Sequence, residues 1–274
     1  MIFFLSRELQ AALAPRRSFD EVMALDGPPI RAKEGRRTFR LELAGRGYFF
    51  KIHTGIGWGE ILKELCSLRR PTVSALAEKR AIDAVQRLGI PTMTVAGYGE
   101  RGRNPARLQS FIVTEEIADT VTLEELAADW HRRPPPFVHK QQLLRTVAGI
   151  ARRLHEHGIN HRDFYLCHFR LQGERLFLMD LHRAQLRSSI PRRWRVKDVA
   201  ALYFSAADIG LTQRDLLRFV RLYSGKPLRE SLEEDGGFWR AVVKRAEKFY
   251  RREWKRGMIS VSTRSTVTSS RHSL

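Results

Sequence analysis

Gly158-Ile159-Asn160-His161-Arg162-Asp163-Phe164-Tyr165-Leu166-Cys167-His168-Phe169 is the stretch on which the fold turns. Before it, Leu143, Leu144, Val147, Ile150, Ala151 and Leu154 fall at helical spacing, and Gly158 ends the predicted amphipathic helix. After it, a short apolar strand predicted over Leu176–Met179 runs directly into Asp180. A polar His161-Arg162-Asp163 triplet is thus set between a helix and a strand, and the strand delivers a second carboxylate. Phosphoryl transfer needs that division of labour. One carboxylate orients the attacking hydroxyl and takes its proton, and another holds Mg²⁺ against the phosphates.

Working back toward the N-terminus, residues 37–52 read as a β-hairpin. Phe39, Leu41 and Leu43 alternate with Arg40 and Glu42, Gly45-Arg46-Gly47 offers a turn, and Tyr48 to Ile52 is aromatic and extended. Lys51 is a cation inside that apolar strand. From about Val73 to Leu88 the spacing becomes helical, closed by Gly89 with Pro91 beyond. Glu78, Ile82 and Val85 share one face of this helix, and a carboxylate on a core-facing stripe is costly without a partner. Lys51 supplies one.

The ordered set Lys51, Glu78, Asp163 and Asp180 resembles the protein-kinase pattern of a phosphate-gripping lysine, its glutamate, an H-R-D base and a metal-binding aspartate. By this resemblance Lys51, Glu78 and Asp163 are the catalytic set and Asp180 is the metal ligand. Asp198, at the start of the next helix, matches the aspartate that braces the catalytic loop. There are departures. No G-x-G-x-x-G precedes Lys51; the turn reads Lys33-Glu34-Gly35-Arg36-Arg37-Thr38, which makes Gly35, Arg36 and Thr38 candidates for the nucleotide's phosphates. Asp180-Leu181-His182 replaces D-F-G, and Tyr165 stands where protein kinases usually carry lysine. His168 occupies the place of the second metal-binding Asn, although Mg²⁺ prefers oxygen to imidazole.

Further strands are predicted near Thr92–Gly97 and Ser110–Thr114, the prolines of Asp129–Pro136 impose a loop, and the chain from Lys197 to about Lys255 reads as mainly helical. Strands dominate early and helices late. The fold class expected is α+β, a two-lobed protein-kinase-like plan with a nucleotide-binding lobe over 1–117 and a catalytic lobe over 118–258. A Ser/Thr/Arg-rich tail over 259–274 is expected to be disordered. Glu115 and Ile117 fall at the join, where backbone groups of a kinase-like hinge would meet adenine.

Of the 274 residues 43% are hydrophobic, as in a globular protein, yet Lys+Arg 49 against Asp+Glu 30 gives a formal charge of +19. Such a field favours a polyanionic partner: an anionic membrane surface, an acidic glycolipid, or a small acidic protein such as an acyl carrier protein. Nucleic acid is not expected, because the arginines are dispersed and no binding motif or zinc spacing accompanies them. Two cysteines make neither a disulfide framework nor a four-ligand metal set. The apolar start Met1-Ile2-Phe3-Phe4-Leu5 is broken at once by Arg7 and Glu8, so neither signal peptide nor span is read there, and a cytosolic enzyme touching the membrane from inside is expected. Ile56, Trp58, Ile61, Leu62, Leu65 and Leu68, interleaved with Lys63, Arg69 and Arg70, suit either an interfacial helix or a core helix. Gly55, Gly57 and Gly59 lack the Lys-Ser/Thr of a P-loop and read as a flexible connection. Arg183 and Arg187, in the basic run after Asp180, join Arg162 as candidates for anion recognition in the acceptor.

Longer motifs narrow the reading: Arg36-Arg37-Thr38, Tyr48-Phe49-Phe50-Lys51-Ile52-His53, Phe111-Ile112-Val113-Thr114-Glu115-Glu116, the 158–169 stretch, Asp180-Leu181-His182-Arg183-Ala184-Gln185 and Ile209-Gly210-Leu211-Thr212. From about Phe19 to Tyr250 the chain resembles the lipopolysaccharide core heptose(I) kinases of Gram-negative bacteria, in whose pattern the histidine at 168 belongs. The resemblance implies transfer from ATP, with Mg²⁺, to the 4-hydroxyl of the first heptose of a lipid A–core oligosaccharide at the inner face of the inner membrane. The catalytic residues alone leave a tyrosine or serine protein kinase as the alternative.

Overall fold

Alternation of Tyr48, Phe50 and Ile52 with Phe49, Lys51 and His53 sends the two sets of side chains to opposite faces of a strand, and the whole first part of the molecule is organised around that strand. The computed structural model describes residues 1–16, 18–33, 35–66 and 73–255. The predicted tail, and Leu68, Arg69 and Arg70, lie outside the described residues. The chain divides into two compact units, Met1–Asp119 with Leu181–Arg183, and Thr120–Asp180 with the chain from Ala184 onward. The division falls two residues beyond the 117/118 break read from sequence, and it returns residues 181–183 to the first unit.

The first unit contains β1 (Ile2–Leu5), α1 (Arg7–Leu13), α2 (Phe19–Ala24), β2 (Pro29–Lys33), β3 (Arg36–Leu43), β4 (Arg46–His53), α3 (Gly57–Cys66), α4 (Leu76–Arg87), β5 (Val95–Arg101) and β6 (Gln109–Glu115). Among the described residues its strands form one antiparallel sheet in the order β1-β5-β6-β4-β3-β2. The β3–β4 turn uses Ala44 and Gly45, both left-handed (φ 49° and 72°), the conformation a two-residue hairpin needs; the expected turn lies one residue later. Phe39, Tyr48, Phe50, Ile52, Phe111 and Val113 bury one face of the sheet under Leu9, Leu13, Phe19 and Val22 of α1 and α2. The Phe39 and Phe50 rings stack at 5.3 Å. Ser6 caps α1, and Ser18 with Glu21 forms a capping box on α2. The periodicity of the hairpin did not announce this N-terminal cover.

Ser110 and Ile112 alternate with Phe111 and Val113, so they belong to the other face, where α4 contacts β5 and β6. Ser110 Oγ accepts the Ala75 N–H at 3.0 Å and thereby seats the start of α4. On α3, Ile61 is buried and packs with Ile56 and Ala106, while Trp58 and Leu62 stay 55% and 56% exposed. That helix is therefore core on one side and open on the other.

The second unit contains β7 (Val121–Thr122), α5 (Leu123–Ala127), α6 (Phe137–Glu156), β8 (Ile159–Asn160), β9 (Phe169–Gln172), β10 (Arg175–Leu178), β11 (Gln185–Leu186), α7 (Arg192–Ser205), α8 (Gln213–Ser224) and α9 (Leu228–Lys255). α6 starts directly after Pro134-Pro135-Pro136, and its apolar stripe of Val147, Ile150, Ala151 and Leu154 is buried. β7, β9 and β10 form a small sheet, and β8 pairs with β11. α7 lies against α9, and α8 against α6. Thr212 and Asp215 make a capping box at the start of α8, where Lys140 from α6 reaches Asp215 at 2.7 Å. The α+β class expected from sequence is the observed one, a β-rich unit followed by a largely helical unit in a protein-kinase-like order.

Candidate active site

Lys51 projects from β4 on the face that carries α4, and Glu78 stands in the first turn of α4. Lys51 Nζ lies 2.6 Å from Glu78 Oε1, and the Glu78 side chain is only 5% exposed. A carboxylate buried to that degree is stable as an ion because the ammonium is bonded to it. This is the pair anticipated from the two periodicities.

The loop that carries His161, Arg162 and Asp163 is built in the second unit. Asp198 of α7 is wholly buried and accepts two backbone amides, His161 N–H at 2.7 Å and Arg162 N–H at 2.8 Å. His155 Nε2 lies 3.5 Å from the same carboxylate, and its Nδ1 lies 2.7 Å from the Tyr223 hydroxyl. Burial pushes the Tyr223 phenol well above its ordinary range, which keeps it protonated. His161 Nε2 donates to the Met179 carbonyl at 2.9 Å and ties the loop to the chain just before Asp180. Lys197 Nζ donates to the Arg162 carbonyl. Arg162 and Asp180 both have left-handed backbone (φ 75° and 59°), a conformation rare outside glycine and sustained here by these bonds.

His168 links the two carboxylate-bearing segments. Its Nδ1 donates to the Asp163 carbonyl at 2.6 Å, and its Nε2 faces Asp180 Oδ2 at 3.6 Å. The Cys167 thiol beside them is pushed up to about 11 by burial, with further contributions from Glu124, Asp180 and Asp163. Both site carboxylates therefore act on the same point. Among the described residues no three or more His, Cys, Asp or Glu side chains gather into a metal-holding group. Mg²⁺ needs fewer, since it is commonly bound by one or two carboxylates together with substrate phosphates. Asp180 offers one such carboxylate, whereas the His168 imidazole beside it is not an oxygen ligand.

A model of the lipopolysaccharide kinase (Kdo/WaaP) family matches residues 20–223. The chain belongs to this family. It is 51% identical over 250 residues to the lipopolysaccharide core heptose(I) kinase WaaP of Pseudomonas aeruginosa, covering 88% of this chain and 93% of that protein. It is 43% identical over 249 residues to the enzyme of the same name from Escherichia coli K12, at 88% and 94% coverage. Among solved structures, one of WaaP in complex with acyl carrier protein superposes with a TM-score of 0.77 at 45% identity, covering 91% of this chain and all of that one.

In this member of the lipopolysaccharide kinase family the remaining predicted residues fall as follows. Arg36 and Thr38 are cross-strand partners of His53 and Lys51, so all four share one sheet face. Gly35 has φ +70°, and a Cβ there would come within 2.0 Å of the Gly55 carbonyl oxygen. Gly35→Ala should lower stability by about 2 kcal/mol, combining backbone strain with that clash; a melting temperature equal to wild type would contradict the close approach. Glu115 closes β6, and its N–H donates to the Thr94 carbonyl at 2.9 Å. The next residue, Glu116, donates its N–H to the Gly47 carbonyl and accepts from the Arg40 guanidinium at its carboxylate, and Ile117 follows in irregular chain. Arg162 lies over the Trp194 ring and Arg187 bonds Gln185, both in the second unit, whereas Arg183 belongs to the turn that clusters with the first.

Sequence reasoning missed His155, Tyr223 and His53. The available signal for His155 was its position four residues after Ala151 on a buried stripe. A buried histidine, His161, and a half-buried one, His53, predict acid sensitivity. His53 is pushed down to about 3 by burial and then by Arg36, Lys51 and His182, and burial also lowers His161. Between those folded values and 6.5 the unfolded chain binds more protons, so stability rises with pH through this window and is lost as pH falls below about 6.5. Each group contributes a slope of up to about 1.4 kcal/mol per pH unit. Denaturant melts at pH 7 and pH 5 should show a smaller difference for His53→Asn than for wild type.

Proposed function

We propose that this chain is a lipopolysaccharide core heptose(I) kinase that moves the γ-phosphoryl group of ATP to the 4-hydroxyl of the first heptose. Asp163 orients that hydroxyl and accepts its proton. Lys51, held by Glu78, grips the α- and β-phosphates, with Gly35, Arg36 and Thr38 on the same strand pair. Asp180, with His168 beside it, holds Mg²⁺, which supplies charge neutralisation at the phosphates. Backbone groups at Glu115 and Ile117 meet adenine, and Arg162, Arg183 and Arg187 receive anionic groups of the acceptor. The observation that carries the reading is the braced loop, in which Asp198 caps two amides and His168 joins the Asp163 carbonyl to the Asp180 carboxylate.

The acceptor is a lipid A–core oligosaccharide, so the enzyme works at the cytoplasmic face of the inner membrane. Among the described residues no helix is long and apolar enough to cross a membrane. Exposed Trp58 and Leu62 beside Lys63 support contact with an anionic surface. An acyl carrier protein is the proposed protein partner, supported by the charge of +19 and by the related complex.

The test is mass spectrometry of core glycolipid from cells with and without this protein, joined to transfer by the purified enzyme from labelled ATP. Loss of one phosphate on the inner heptose in the deletion, restored by the wild-type chain, is the expected result. Label entering tyrosine or serine of proteins, and not the glycolipid, would replace this reading with that of a protein kinase.

A further inference from the structure

The end of β4 carries a group that the reading above leaves without a task. His53 lies directly across from Arg36, and two residues from Lys51 on the same face of the sheet. Arg36, Lys51 and His182, all from the first unit, act on it electrostatically. The next residue, Thr54, donates its N–H to the Gly35 carbonyl at 2.9 Å, so His53 sits beside the turn that stands in for a glycine-rich loop. Its Nδ1 is buried and has no hydrogen-bond partner among the described residues. Burial and the surrounding positive field keep the imidazole neutral, hence a one-proton donor.

A buried polar nitrogen without a partner is unfavourable, and the positive potential around it makes an anion, accepting from the Nδ1–H tautomer, the natural partner. The ordinary kinase solution offers several backbone amides of a glycine-rich loop to the phosphates. Here the turn has one glycine, Gly35, already packed on Gly55. We propose that His53 is a phosphate-binding residue, donating Nδ1–H to the phosphates of the nucleotide beside Arg36 and Lys51, where the sequence lacks the G-x-G-x-x-G of an ordinary kinase. The inference rests on the kinase reading and specifies how that nucleotide is held. It also gives a chemical preference: affinity at this face comes from the phosphate chain and not from adenosine.

Calorimetric titration of the full-length protein with a non-hydrolysable Mg²⁺–ATP analogue and with adenosine tests this in wild type, His53→Asn and His53→Leu. Asparagine keeps an N–H close to the position of Nδ1, and leucine removes it. One hydrogen bond to a charged acceptor corresponds to about a ten- to hundredfold weakening of analogue binding in His53→Leu, with adenosine affinity unchanged and His53→Asn within a few-fold of wild type. Equal analogue affinity in wild type and His53→Leu overturns the assignment, as does an equal loss for adenosine, which would place the effect in the fold. Failure of the wild type itself to bind the analogue would instead overturn the kinase reading.

Discussion

Asp163→Asn should reduce phosphoryl transfer by roughly 10²- to 10⁴-fold, the range for loss of a general base, while Mg²⁺-nucleotide affinity stays within a few-fold of wild type. The substitution targets the proposed proton acceptor and leaves in place the main-chain bonds that hold the loop. Asp198 holds the amides of His161 and Arg162, His161 holds the Met179 carbonyl, and His168 bonds the main-chain oxygen of Asp163, which asparagine retains. The amide has nearly the shape of the carboxylate and no capacity to take the hydroxyl's proton. Turnover of core glycolipid and equilibrium binding of nucleotide, measured on one preparation, separate the two effects. Turnover near the wild-type rate would remove Asp163 from the chemistry.

Lys51→Met has two consequences that a second substitution separates. Glu78, 5% exposed, loses the ammonium at 2.6 Å, and a buried charge left without its partner costs about 3–5 kcal/mol. The same change removes the cation proposed to hold the phosphates and on that reading should lower turnover roughly 10²- to 10³-fold. Adding Glu78→Gln takes away the stranded charge, so the double variant should recover much of the stability and none of the rate. Denaturant midpoints and turnover for the four proteins of the cycle decide it. If Glu78→Gln also restored turnover, Lys51 would have no direct part in holding phosphate.

How much of this was readable beforehand depended on the range of each interaction. Lys51 and Glu78 stood out because a charge on an apolar strand or helix stripe breaks a short period, 2.0 or 3.6 residues, and such a break is visible locally. Asp163 and Asp180 were proposed from their order along the chain, and the braced loop that carries them is what the fold adds. By contrast, β1 escaped notice because four apolar residues carry little pattern by themselves, and α1 and α2 were hidden because the face they cover belongs to strands far along the chain. His155 was missed, because its partners Asp198 and Tyr223 come from two later helices. The left-handed backbone at Arg162 and Asp180 has no compositional cue, since neither is glycine. The return of Leu181–Arg183 to the first unit is likewise a matter of tertiary packing against α4.

The pairing of Ile2 with Glu100 sets a timetable for biosynthesis. β1 leaves the ribosome well before β5 and joins the sheet through that strand, made almost a hundred residues later. At about 5–20 residues per second, Phe3 and Phe4 wait roughly 5–20 s before their neighbour exists. During that interval the nascent chain displays an unmatched apolar strand, which a holding chaperone or a crowded polysome would encounter before the sheet can claim it.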